Sequence, residues 1–132
     1  MAYDINVTRK IPIAVDIDRL IKHYLAPLGE SPYELYAVQE EEAFQWLVQA
    51  TETYDIHIIS YRSKTWTGRR EMRAWLKNAM RESLGTSWYE TYRSLKWPKG
   101  LPQVDLIITD RHVVHVDHLP SMLEIKKLVG KA

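Results

Sequence analysis

The stretch Ile11-Pro12-Ile13-Ala14-Val15-Asp16-Ile17-Asp18 decides the fold. Apolar side chains at successive positions suit a strand buried on both faces, as the strands of a parallel sheet are. Two further short apolar runs follow, residues 56–60 (Ile-His-Ile-Ile-Ser) and residues 104–109 (Val-Asp-Leu-Ile-Ile-Thr) ahead of Asp110. Each is expected to form a strand. The segments between them carry a different period.

Residues 40–54 predict a helix, because Ala43, Trp46, Leu47, Ala50 and Tyr54 fall on one stripe at 3.6-residue spacing. Glu40, Glu41 and Glu42 then complement the dipole of its first turn. Residues 69–83 predict a second helix with Met72, Trp75, Leu76, Ala79 and Met80 inward, and Gly85 is a natural stop. Residues 61–68 read as a loop, residues 91–97 as a weaker strand before Pro98, and residues 113–116 as another short strand. Ser121 caps a last helix over 122–129, with Glu124 at the capping-box position. Residues 19–39 hold Pro27, Gly29, Ser31 and Pro32 and read as a loop excursion with one short helical turn. Strands alternating with helices argue for an α/β chain with a parallel sheet and right-handed crossovers.

At 132 residues the chain has the length of one domain, 1–132, with 19–39 as a small lid or insert. Hydrophobic residues at 45% and charged residues at 27% exclude disorder as the main reading. Net charge is +1, so no global field selects nucleic acid or a membrane surface. There is no cysteine, which removes disulfides, thiolate catalysis and Cys-ligated zinc and fits a reducing cytoplasm. The first residues lack the charged start and apolar run of a signal peptide, and no apolar run approaches the ~20 residues of a membrane helix. A cytoplasmic protein without membrane partners is expected.

In an open parallel sheet, ligands bind beyond the carboxyl ends of the strands. Three strands here end in polar groups: Asp16 and Asp18, Ser60, and Thr109 with Asp110. Carboxylates gathered at one spot repel one another unless a cation lies between them. Hard oxygen ligands suit Mg²⁺, which takes one or two carboxylates plus waters and phosphate oxygens. Bound Mg²⁺ and a phosphorylated ligand answer the electrostatic problem together.

These residues resemble the haloacid dehalogenase-like superfamily of phosphatases. The family's first motif, an apolar strand followed by Asp-x-Asp, reads Ile13-Ala14-Val15-Asp16-Ile17-Asp18 here. Its second, an apolar strand ending in Ser or Thr, reads Ile56 to Ser60. Its fourth, an apolar strand ending in an acidic pair, reads Asp105 to Asp110 followed by Arg111. The resemblance covers residues 11 to 120. It is closest to short, cap-poor bacterial and phage members and to the deoxyribonucleotidase branch. It implies a three-layer Rossmann-like parallel sheet with helices on both faces and a minimal cap. It implies Asp16 as nucleophile, Asp18 as acid and base, Ser60 as a phosphate donor with the N–H groups of residues 61–62, and a metal site of Asp16, Asp18 and Asp110. The third-motif lysine would be Lys99, with Lys96 as the alternative. The implied substrate is a phosphorylated small molecule, a nucleotide or a nucleic-acid end. The chain departs from the pattern at Arg19, where Gly is usual, at Leu20, and at Thr109, where Asp is common.

Two other readings follow from those departures and from the charge pattern. One is a binding or regulatory protein on the same scaffold without turnover. The other is a nucleic-acid-binding protein using Arg69, Arg70, Arg73, Lys77 and Arg81 on the second helix, with Trp66 nearby and Glu71 and Glu82 diluting the stripe. His112, His115 and His118 recur every third residue, a spacing that a strand cannot bring to one face, and are expected on a strand edge and loop.

Overall fold

The computed structural model of the protein describes residues 10–17, 23–25, 36–38, 41–108 and 119–130. Strand β1, Ile11–Asp16, lies at the centre of a three-stranded sheet. On one edge it pairs in parallel with β4, Tyr54–Ile59, and on the other with β5, Leu106–Ile108. Two short strands between β1 and β4 in sequence, β2 (His23–Leu25) and β3 (Tyr36–Val38), pair antiparallel with each other. The expected loop at 19–39 thus contains a strand pair, and the helical turn expected there is not found among its described residues. The helices are α1 (Glu41–Thr53), α2 (Trp66–Leu84), α3 (Trp88–Arg93) and α4 (Met122–Gly130).

Register fixes which side chains share a face. Ile13 pairs with Ile56 and Leu106, and Val15 pairs with Ile58 and Ile108. These six residues line one face and are all buried. Phe44, Leu47 and Ala50 of α1, Met72, Leu76, Ala79 and Met80 of α2, and Ile125 of α4 join them in one hydrophobic cluster. The expected stripes of both long helices point inward with three changes: Phe44 is added, Trp46 and Trp75 are only partly buried, and Tyr54, expected on the first helix, is the first residue of β4. The opposite face is more polar. Along β4, Tyr54, Ile56 and Ile58 are buried while Asp55 and His57 are half-buried. Asp55 is contacted from two sides there, with Oδ2 3.3 Å from His57 Nε2 and Oδ1 3.5 Å from Lys96 Nζ. β4 is thus two-sided, where a continuous apolar reading had it buried on both faces.

Local chemistry sets the element ends. Lys10 Nζ donates to the Thr51 carbonyl at 2.6 Å, so a cation from the start of β1 meets an orphan carbonyl in the last turn of α1. Pro12 sits near the beginning of β1, where the ladder tolerates a missing N–H, and its carbonyl still accepts from Asp105 N–H at 2.9 Å. Gly85 ends α2 at φ 63°, a backbone angle that costs a side-chain-bearing residue energy. The Ser121 hydroxyl accepts from Glu124 N–H at 3.1 Å and lies 3.3 Å from its carboxylate, which caps α4 as expected. Trp46 Nε1 donates to the Pro120 carbonyl at 2.6 Å and ties α1 to the chain entering α4.

Three expected elements need correction. Residues 88–93 are helical, and what remains of the strand expected at 91–97 is a single parallel bridge from Lys96 to His57. That bridge carries two hydrogen bonds, Ile58 N–H to the Lys96 carbonyl and Lys96 N–H to the Ile56 carbonyl, both 2.9 Å. Trp88, Tyr92 and Trp97 look strand-like in sequence, but Trp88 and Tyr92 stack at helical spacing, ring centroids 5.7 Å apart. Residues 61–68 are not a loop: a 3₁₀ turn over Tyr61–Lys64 runs into α2, which begins at Trp66 because Thr65 caps it by accepting from Gly68 N–H at 2.9 Å. The strand at 104–109 is described only from Leu106 to Ile108, and the one expected at 113–116 lies outside the described residues. No helix among the described residues is long and apolar enough to cross a membrane.

Leu76 is fully buried against the sheet while Lys77 beside it faces water. Leu76→Ala is expected to cost about 2–5 kcal/mol. Lys77→Ala is expected to stay within about 0.5 kcal/mol. Urea denaturation of the two variants checks the inward face of α2.

Candidate functional site at the carboxyl edge of the sheet

Chain order and strand order disagree at β1. The chain leaves β1 for β4 on one side, then returns past it to β5 on the other. Such a reversal opens a crevice beyond the carboxyl ends of the strands, the usual ligand position in open α/β sheets. Asp16 is the last residue of β1 and is half-buried at that edge. It pairs in register with Ile59, the last residue of β4, and Ser60 follows directly. Neighbouring strands lie about 4.8 Å apart, so the Asp16 and Ser60 backbones are adjacent. Ser60 remains extended at φ −173° and ψ 166°. Strand alternation then sends Asp16 toward the face of Ala14 and Ser60 toward that of Ile58, and the two side chains flank the edge from opposite sides.

Ser60 is held by a reciprocal cap. Its hydroxyl accepts from Arg62 N–H at 3.2 Å, and its own N–H donates to Ser63 Oγ at 3.1 Å. Its carbonyl accepts from Ser63 N–H at 2.9 Å. A small turn is thereby locked onto the end of β4. Arg62 Nη1 donates to the same Ser60 hydroxyl at 3.4 Å. The Arg62 side chain is 0% exposed and is the largest fully buried side chain described. Its guanidinium lies 4.4 Å from the centroid of the Tyr61 ring, which is itself 55% exposed and caps it against water. Arginine keeps its charge when buried, so Arg62 is a fixed cation beside Ser60.

The first turn of α2 braces this loop from below. Arg69 Nη1 donates to the Ser63 carbonyl at 2.9 Å, and Gly68 approaches the Arg62 carbonyl so closely that a Cβ there would lie 2.0 Å from its oxygen.

The expected site residues are brought together in part. Asp16 and Ser60 stand at one edge on neighbouring strands, with their side chains on opposite faces of the sheet. Lys96 is committed to Asp55 on the polar face of the sheet, level with His57 rather than with Ser60. Lys99 is exposed in the segment running from that bridge to β5. Asp18, Asp110, Arg19, Leu20 and Thr109 lie outside the described residues, as do His112, His115 and His118. Among the described residues, no three His, Cys, Asp or Glu side chains gather into a metal site. Of the expected metal-site carboxylates only Asp16 is described, and its hard oxygen chemistry fits Mg²⁺. Arg62 was missed by sequence reasoning, which credited residues 61–62 with backbone N–H groups alone. Its signal was an arginine two positions past a strand-ending serine. Comparison of the chain with protein-family models, curated proteins and solved structures finds no match.

Gly68→Ala is expected to destabilise the protein by about 1–3 kcal/mol, because the added methyl meets backbone rather than a side chain that can move. Gly100→Ala, where a Cβ meets nothing within 4 Å, serves as the control. Chemical denaturation of the pair tests whether α2 braces the Arg62 loop.

Proposed function

We propose that the protein is a Mg²⁺-dependent phosphomonoesterase of the haloacid dehalogenase-like type, working through an aspartyl-phosphate on Asp16. The observation that carries this reading is the placement of Asp16 and Ser60 at the carboxyl ends of neighbouring parallel strands, where the strand order reverses. The cation of Arg62, buried behind Ser60 and bonded to its hydroxyl, supports it, because a positive charge close to that edge favours a dianionic ligand.

In the proposed reaction a carboxylate oxygen of Asp16 attacks phosphorus and the P–O bond to the alcohol breaks. Asp18 protonates the leaving oxygen. Asp18 then takes a proton from water, which attacks the phosphorus of the acyl phosphate, releasing inorganic phosphate and regenerating the Asp16 carboxylate. The Ser60 hydroxyl donates to a non-bridging phosphate oxygen, and Arg62 stabilises the charge that spreads over those oxygens. Mg²⁺, held by Asp16, the Asp18 carbonyl and Asp110, supplies charge neutralisation when bound. Lys99 is assigned to the phosphate in place of Lys96, which Asp55 engages. The substrate is a phosphorylated small molecule or a nucleotide.

Hydrolysis of a generic aryl phosphate with Mg²⁺ tests the reading. Asp16→Asn is expected to lower turnover by more than about a thousandfold, the scale of loss on removing a nucleophile, with folding retained by circular dichroism. Equal rates for wild type and variant would sink it.

A further inference from the structure

The cations of α2 are not a diffuse solvated face. Arg70, Arg73, Lys77 and Arg81 are all exposed, and at 3.6 residues per turn they fall with Trp66 within an arc of about 80°. Glu71 and Glu82 lie outside that arc, on another strip of the helix, and do not dilute it. Arg69 also leaves the set, because its guanidinium is spent on the Ser63 carbonyl. From Arg70 to Arg81 the stripe runs about 16 Å along the helix.

Two aromatic rings punctuate the stripe. Trp66 is 65% exposed, and the Arg70 guanidinium lies 5.3 Å from its ring centroid. The Arg81 guanidinium lies 5.6 Å from Trp88 at the other end. The exposed Trp66 indole beside these cations offers a face on which a base can stack. A positive groove with stacking rings is the arrangement that holds unpaired nucleic-acid strands, since every base has a face to stack and every nucleotide a phosphate to pair.

The stripe is also continuous with the candidate site. The 3₁₀ turn of Tyr61–Lys64 and the cap at Thr65 lead directly from Ser60 into the first residue of α2. Trp66 therefore stands at the end of the helix nearest the carboxyl edge, and the cations recede from it.

We infer that the exposed stripe Trp66, Arg70, Arg73, Lys77 and Arg81 is a binding tract for a single-stranded nucleic acid whose terminal phosphate enters the edge between Asp16 and Ser60. The tract supplies the affinity and the sheet edge receives the end. The entry of the terminal phosphate rests on the phosphomonoesterase reading; the tract itself does not.

The test is fluorescence anisotropy of a labelled, end-phosphorylated single-stranded DNA oligonucleotide with the full chain across a salt series. Wild type is expected to bind with a log–log salt slope of about −3, the value for four phosphates neutralised on a single strand. Changing Arg73→Ala and Lys77→Ala together is expected to flatten that slope by about 1.4. Trp66→Ala is expected to weaken binding about tenfold. The remote exposed pair Lys126→Ala and Lys127→Ala is expected to leave affinity unchanged, and all variants should hydrolyse the small aryl phosphate as wild type does. Absence of binding at low salt, or equal losses from the α2 and α4 pairs, overturns the tract. Displacement of the oligonucleotide by anionic phospholipid vesicles overturns it in favour of a membrane surface. Aryl phosphate turnover without oligonucleotide binding removes the tract alone. Binding without turnover by wild type removes the phosphomonoesterase reading and leaves the tract standing.

Discussion

The parallel pairing of β1 on both of its edges constrains everything else in this protein. A central strand has no solvent-facing backbone, so its N–H and C=O groups must be met by neighbours on each side. β4 and β5 meet them, and the register that results aligns Ile13 and Val15 with Ile56, Ile58, Leu106 and Ile108. A slip of β4 by one residue would turn Ile56 and Ile58 to the opposite face and bring Asp55 and His57 toward the apolar faces of α1 and α2. Burial of the apolar set therefore locks the register. The same register fixes where the strands end, and so which polar residues stand beside one another at the carboxyl edge.

The legibility of the sequence follows from this division of labour. β1 was readable, because a strand buried on both sides must be apolar at consecutive positions. The inward faces of α1 and α2 were readable from their period. The segment 91–97 was not, because aromatic residues serve a helix and a strand equally well; residues 88–93 are helical, with Trp88 and Tyr92 one turn apart and their ring centroids 5.7 Å from each other. The start of α2 was missed for a different reason. Ser60, Ser63 and Thr65 look like loop chemistry, and they are caps: a 3₁₀ turn and a helix begin where a polar loop was expected. Polar residues at a strand end can terminate structure or start it, and single residues do not say which.

The candidate site shows the same limit. Asp16 and Ser60 were legible because strand ends are legible. Arg62 was not, because an arginine two residues past a strand reads as a solvent-facing side chain until the fold buries it. Lysine pairing was also hidden. The sequence put Lys99 ahead of Lys96, and the fold adds that Lys96, bridged to His57, lies 3.5 Å from Asp55.

Burial of Arg62 has an energetic consequence for the edge as a whole. Taking a guanidinium out of water costs several kcal/mol unless negative groups and oriented acceptors surround it. The fold meets part of that demand with the Ser60 hydroxyl and the Tyr61 ring, both within two residues of Arg62. Asp16 ends the neighbouring strand and is half-buried at the same edge. α2 braces the Arg62 loop at this edge through Arg69 and Gly68. An arrangement of that kind reorganises little when a ligand arrives, which is the condition under which fixed charges act most strongly on a reacting group.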